Sequence, residues 1–315
     1  MRDTRDMFLV LLSSLLMLTG CSRRDILDDY PVSGVDIDLD WSGVTNKLPE
    51  GVRVIFYPKN AEGRKIDTYL SVKGGKVKVP PGRYSVVVYN YDTETVQIRG
   101  EEAYETIEAF TGHCNGLGIA GTEQLVWGPD PLYVVRIDDL KIENSEEELQ
   151  LNWKPKLVVK TYSFKLKVQG LEYVSSIVGS IEGMSSCYGL GLGCGKVGDS
   201  SIYFAARGSA GEVTGSFTVF GTSEGAISRA GNAIKLTLAF VKVDKSVQTV
   251  DIDVTDVVAN SENGGGEGGD KDEPPMEIEL PLEDEVNVEE PDSSTDINGG
   301  VDEWENENGG EYPID

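Results

Sequence analysis

The chain is short of the residues that most often carry chemistry. Its 315 residues include one histidine, His113, and four cysteines, Cys21, Cys114, Cys187 and Cys194. His113 has little to work with, because adjacent residues on an extended chain point to opposite sides and Cys114 is therefore turned away from it. No nucleophile elbow or cysteine-protease segment surrounds Cys187 or Cys194, so a His-dependent hydrolase is not expected. Cysteine this sparse does not build a disulfide scaffold, and His113, Cys114, Cys187 and Cys194 lack the paired ligand spacing of a zinc site. Cations are also scarce: 28 Lys and Arg stand against 54 Asp and Glu, a net charge of -26. A chain without a basic patch cannot neutralise phosphates, and its acidic excess repels nucleic acid and anionic headgroups, so no nucleic-acid partner is expected. The apolar run Met7 to Leu18 is roughly twelve residues, too short to span a bilayer.

That run suits a signal-peptide core instead. It leads into Leu18-Thr19-Gly20-Cys21, a bulky residue and two small ones ahead of a cysteine, which resembles the lipobox of bacterial lipoproteins. Leu18, Thr19 and Gly20 would fit the signal-peptidase cleft, and the Cys21 thiolate would take the lipid. The segment before it, MRDTRD, balances Arg2 and Arg5 against Asp3 and Asp6, where a basic stretch is the usual pattern. The expectation is a signal peptide over residues 1–20, a lipidated spacer over 21–31, and membrane contact through the N-terminal lipid.

Beyond the spacer the pattern has period two. Val35, Ile37, Leu39 and Trp41 alternate with Asp36, Asp38 and Asp40, which places apolar side chains on one strand face and acids on the other. Val52 to Pro58 and Lys76 to Val79 read as further strands, and Tyr84 to Tyr91 as a central strand buried on both faces. Val96 to Arg99, Leu132 to Ile137 and Leu149 to Trp153 complete a set of about seven, as in an immunoglobulin-like or transthyretin-like sandwich. A second cycle runs from Leu157 through LVVKTYSFKLKV, Ser201 to Phe204, Val213 to Phe220, Ile234 to Val243 and Val247 to Val254. Leu171, Val174, Val178 and Ile181 have the spacing of a short amphipathic helix, although the same stretch could be a strand of small residues. The expected fold is all-β: two tandem immunoglobulin/transthyretin-like β-sandwiches, over residues 32–156 and 157–259, with a disordered acidic C-terminal tail over 260–315.

The tail follows from composition, with about twenty acids against the single Lys271 and too little apolar surface to offset ordering entropy. It contains one island. Met276, Ile278, Leu280 and Leu282 alternate with Glu277, Glu279 and Pro281, a candidate strand-pairing segment for a sheet edge in this chain or in a partner. The other reading of the island is a weakly ordered piece of tail.

Several motifs carry less than their letters promise. Gly116 to Gly121 matches G-x-G-x-x-G, with Asp138 roughly where a ribose-binding acid would fall, but it lacks the strand before it and the helix after it, so no cofactor is expected. Asp296-Ile297-Asn298-Gly299-Gly300 lacks the ligands of a calcium loop. If Cys21 is lipidated, an odd three cysteines remain. Cys187 and Cys194 bracket a glycine-rich loop, and free buried thiols, a local disulfide and a metal site compete there. Acids are abundant, but the carboxylate pair of a glycoside hydrolase is defined in space, so no catalytic residue is assigned. For a glycan partner, Tyr89, Tyr91 and Trp127 are candidate stacking platforms, with core packing as the competing role of each.

Taken together, several segments resemble the Bacteroidetes lipoproteins allied to the fimbrillin-associated anchor subunits of type V pili. They are the lipobox with Cys21-Ser22-Arg23-Arg24-Asp25, Val35 to Trp41, GVRVIFYP, Gly170 to Val174 running into SIEGM, LAFVKVD, and Asp251 to Val257. The resemblance implies paired transthyretin-like sandwiches on an outer-membrane lipid anchor, engaged in fimbrial assembly or surface adhesion, with fimbrial subunits as partners and no catalytic residues. Cell-surface export in this group goes with acids directly after the lipidated cysteine. Here Arg23 and Arg24 precede Asp25, Asp28 and Asp29, so the leaflet is left open.

Overall fold

The computed structural model describes residues 33–44, 47–60, 63–115, 124–145, 147–198, 200–221, 233–263 and 277–291. In chain order the first half contributes β1 (Ser33–Leu39), β2 (Gly51–Pro58), β3 (Ile66–Ser71), β4 (Gly74–Val79), β5 (Gly82–Asn90), β6 (Val96–Arg99), β7 (Glu108–Thr111), β8 (Gln124–Trp127), β9 (Tyr133–Ile142), β10 (Leu149–Trp153) and β11 (Lys156–Leu157). The rest supplies β12 (Val159–Gln169), β13 (Val174–Glu182), β14 (Ser185–Gly189), β15 (Cys194–Val197), β16 (Ser200–Ser209), β17 (Glu212–Phe220), β18 (Lys235–Lys242), β19 (Val247–Asp253), helix α1 (Thr255–Asn263) and β20 (Glu277–Asn287). The chain is all-β, with two large curled sheets of β-sandwich character.

The first sheet runs β10-β1-β4-β3-β2-β5-β9-β11, and the second β19-β18-β13-β16-β17-β12-β20, with β8 paired to β16. The chain passes from one to the other between Leu157 and Val159. The halves are interleaved more than a cut at that point implies. β8 lies in the second sheet, and a third sheet of order β15-β14-β7-β6 is assembled from both halves.

Burial follows the period-two pattern. On β2, Val52, Val54 and Phe56 enter the core enclosed by the first sheet, with Val35, Ile37, Val86 and Val88. Its other face sends Ile55 and Tyr57 outward, where β6, β7 and the β14–β15 hairpin cover them together with Val87, Tyr104, Ile107 and Leu190. This covering layer is why β5 is apolar at consecutive positions, with Val86, Val87 and Val88 all buried. In the second sheet Tyr162, Phe164, Leu166 and Val168 of β12 face the core. Gly179 and Gly215 make room there, since a Cβ at either would come within 2.3 or 2.5 Å of the rings of Phe204 and Phe164.

Of the two readings open for residues 171–181 the strand holds: a single 3-10 turn at Leu171–Tyr173 leads into β13, which pairs with β16 on one side and β18 on the other. Its β-branched Val and Ile with Ser and Gly are poor helix formers, and tertiary pairing decides the outcome. Helix α1, residues 255–263, runs across the expected boundary at 260 and buries Val258 in the second core, and within the acidic segment residues 277–287 form β20.

Candidate functional site

Several sequence candidates, Leu18, Thr19, Gly20, Cys21, Met276, the Gly116 to Gly121 motif and Asp296 to Gly300, lie outside the described residues. Asp138 accepts a hydrogen bond from the Tyr104 hydroxyl at 2.6 Å. His113 is exposed while Cys114 is buried, the opposed orientation expected of neighbours on an extended chain. Cys114, Cys187 and Cys194 are free thiols. Cys187 sits opposite Lys196 and Cys194 opposite Gly189, so the two cysteines are diagonal across the β14–β15 ladder rather than facing. Diagonal neighbours stand about 7–8 Å apart, beyond the usual reach of a disulfide. Burial pushes the Cys114 thiol up, and burial reinforced by Glu108 does the same for Cys187, so neither is poised as a thiolate. Among the described residues no group of three His, Cys, Asp or Glu side chains could hold a metal ion.

The apolar island of the acidic segment lies against its own chain. β20 pairs in parallel with β12 from Thr161↔Glu277 to Gln169↔Asn287, with a register shift between Lys165 and Lys167. Ile278 and Leu280 are buried in the second core, as are Val286 and Val288, while Leu282 is half-buried against it. The acids between them face outward, and Pro281, which has no N–H to offer, is tolerated because β20 is the edge of the sheet. The Gln169 side chain donates to Glu285 at 2.6 Å, and the Gln248 side chain donates to the Asn287 carbonyl at 2.8 Å.

The most organised polar cluster lies elsewhere, on the outer face of the first sheet where the covering layer ends. Arg53 of β2 is opposite Tyr69 of β3 and Tyr89 of β5, so one register row brings a cation between two aromatic side chains. Its Nε and Nη2 donate to Asp67 at 2.9 and 2.7 Å, its Nη1 and Nη2 to Glu101 at 2.7 and 2.8 Å, and its Nη1 to the Tyr89 hydroxyl at 2.7 Å. Five contacts match the five N–H donors of a guanidinium. Hydrogen bonds to Asp67 and Glu101 hold Arg53 charged, its pKa well above the ordinary arginine value. Burial raises the Tyr57 and Tyr89 hydroxyls, keeping both neutral. The Lys65 ammonium donates to the Glu101 carbonyl at 3.0 Å.

Above this row, Tyr69 and Tyr91 are 61% and 45% exposed and meet edge to face with ring centroids 5.3 Å apart. They line a cleft of about 220 Å³ whose floor includes Arg53, Tyr89 and Glu101. Gly51 is part of the construction, since a Cβ there would sit 2.7 Å from the Tyr91 hydroxyl. Of the three sequence-named aromatic side chains, Tyr91 is exposed in this cleft. Tyr89 takes the competing role, core packing: it is buried, its hydroxyl committed to Arg53, and it cannot serve as a stacking platform. Trp127 is exposed but distant in the fold, on β8, edge-on to Tyr203 at 5.6 Å. Sequence reading missed Arg53, Asp67, Tyr69 and Glu101. The available signal was Arg53 itself, a lone cation inside the apolar strand GVRVIFYP.

Residues 20–205 match the model of a family described as a domain of unknown function, DUF5119. The "Putative fimbrium anchoring subunit Fim4B" of Bacteroides ovatus is 58% identical over 333 aligned positions that span all of both chains. The chain therefore belongs to the DUF5119 family, and to the same group as this relative. A crystal structure of a putative adhesin from Bacteroides ovatus is 56% identical, covers 87% of this chain and 98% of its own, and superimposes with a TM-score of 0.71. A second putative adhesin from Bacteroides ovatus, 10% identical with a TM-score of 0.50 over 81% of this chain and 88% of its own, shares the fold alone.

Proposed function

We propose that the chain is a non-enzymatic subunit of a fimbrial or other cell-surface assembly, held to the outer membrane by lipid on Cys21. The observation that carries this reading is the end-to-end 58% identity to a relative named as a fimbrium anchoring subunit. Strand-edge pairing is the proposed means of assembly. β20 supports it, because an alternating apolar strand on a sheet edge offers backbone hydrogen bonds for affinity and alternate side-chain pockets for specificity. A partner's strand could add beside β20 or take its place on β12. A second reading, a surface-exposed binding module, is favoured by the exposed Tyr69 and Tyr91 pair.

The test is affinity capture of the full chain from native membranes after mild crosslinking, alongside Cys21→Ala. The proposal expects β-sandwich pilin-like subunits to be recovered with the chain, and the Cys21→Ala form to leave the membrane fraction. Capture of the chain alone would overturn the assembly role, and a Cys21→Ala form that stays in the membrane would overturn the lipid anchor.

A further inference from the structure

The cleft beside Arg53 has an uneven set of unused contacts. All five guanidinium donors are committed within the protein, so the arginine has none left for a carboxylate or sulfate. What remains open are acceptors and ring faces. Of the two carboxylates Glu101 lines the cleft; each of its oxygens takes one hydrogen bond from Arg53 and has further lone-pair capacity, and its side chain is 29% exposed. Tyr69 and Tyr91 supply apolar ring surface beside it, set at 77° to one another.

A ligand suited to these groups is rich in hydroxyl donors, has an apolar C–H face that can lie on an aromatic ring, and carries no charge. Arg53 and Glu101 are the charged side chains that line the cleft and they are paired with each other, so neither an anion nor a cation finds a free countercharge there. We infer that the Tyr69–Tyr91 cleft is a carbohydrate-binding site for neutral glycans, with a pyranose face stacked on an exposed tyrosine ring and its hydroxyls donating to the lining carboxylate of Glu101. Arg53 is a positioning residue, holding that carboxylate in fixed orientation so that binding spends little on ordering it. The cleft volume of about 220 Å³ admits one or two sugar rings rather than a long buried chain, so the site takes a terminal or branching residue.

This inference rests on the second functional reading alone, and assembly through β20 is independent of it. The experiment uses the full chain in a sugar-free zwitterionic detergent. Neutral probes (maltohexaose, a mannose pentasaccharide and lacto-N-tetraose) are compared with sialyllactose and a lysine-rich peptide by calorimetry and saturation-transfer NMR. The expected result is binding of at least one neutral oligosaccharide, with saturation transferred from tyrosine ring protons. Tyr69→Ala or Tyr91→Ala should weaken it about tenfold or more, and Tyr69→Phe by less than about threefold because the ring is kept. Both tyrosines are exposed, so thermal melting should show the alanine variants folded. No binding by any neutral probe, preference for sialyllactose or the peptide, or unchanged affinity in both alanine variants would overturn the site. A failure here with fimbrial partners still captured would remove the glycan site and leave the assembly role standing.

Discussion

The two large sheets close one edge in the same way and secure it differently. Each has an edge strand paired in parallel with a strand far back in the sequence: Val35↔Leu149 through Leu39↔Trp153 for β1 and β10, and Thr161↔Glu277 through Gln169↔Asn287 for β12 and β20. β10 is a short segment tied closely at both ends, with β9 finishing at Ile142 before it and β11 starting at Lys156 after it. β20 is longer, interrupted by a register shift, and separated from α1 by residues 264–276. A parallel partner always needs a long connection. In both sheets that connection contains other strands, but the last link into β20, from α1, is glycine-rich and acidic. An edge strand secured mainly by its ladder and its apolar contacts can open without unfolding the sheet behind it.

Paired truncations give the largest test of that difference. Trp153→Ala removes the buried indole of β10, and Leu280→Ala a fully buried side chain of β20. Changes of this kind cost about 3–5 and about 2–5 kcal/mol respectively. Chemical denaturation should register the first as a loss of global stability. The second should appear in hydrogen exchange as lost protection of β20 and the adjoining β12 amides, with β13 and β18 protected as before. If Leu280→Ala exposes β13 and β18 equally, the two edges are alike and the comparison fails.

A smaller effect is expected at the far end of β20. Gly170 has φ +79°, and a Cβ there would come 2.2 Å from the Val288 carbonyl oxygen. That segment is pinned by the Val288 N–H donating to the Gln169 carbonyl at 2.9 Å. Gly170→Ala combines left-handed strain with a backbone clash, so a loss of about 1–3 kcal/mol is expected, with the new exchange confined to the end of β20. A melting temperature equal to that of the unaltered chain would show that the segment is not pinned there.

Legibility in the sequence followed residue pattern. β1, β2, β4, β5, β10 and β12 could be read because apolar side chains alternate over the strand or, in β5, fill both faces. β3, IDTYLS, has no such run, and β14 and β15 are glycine- and serine-containing strands whose pairing with β7 is remote in sequence. β13 carried a helical spacing that small and β-branched residues could not realise. The Arg53 cluster was hidden for a different reason. Its partners Asp67 and Glu101 lie 14 and 48 residues away, and the row that unites them exists only once β2, β3 and the loop before β7 are folded. Tyr69 went unnoticed because the strand bearing it did, while Tyr89 looked equivalent to Tyr91 because residues two apart share a strand face; Tyr89 lies within β5 opposite Arg53, whereas Tyr91 lies just past the end of that strand.

The smallest effect concerns how far the two halves are separate at all, because the third sheet joins them by the β7–β14 ladder and carries one bridging carboxylate beside it. Glu108 of β7 bridges Arg99 of β6 and Lys196 of β15, the latter at 2.6 Å. Its side chain is 12% exposed, whereas Arg99 and Lys196 are 56% and 40% exposed, so solvent screens the pairs and Glu108→Gln should cost no more than about 1 kcal/mol. Burial alone would raise this carboxyl, but hydrogen bonds from Lys196 and Arg99 outweigh it and leave its pKa below the ordinary 4.5. A folded-state pKa that is lowered stabilises the protein fully above the unfolded value, and that contribution is lost as pH falls through the folded one. The gap in melting temperature between the unaltered chain and Glu108→Gln should therefore be present at pH 7 and close below about pH 4. A gap of the same size at both pH values would mean that the charge plays no part in joining β7 to β15. The junction would then rest on the β7–β14 ladder and the apolar contacts of Ile107, Ala109, Leu190 and Phe220.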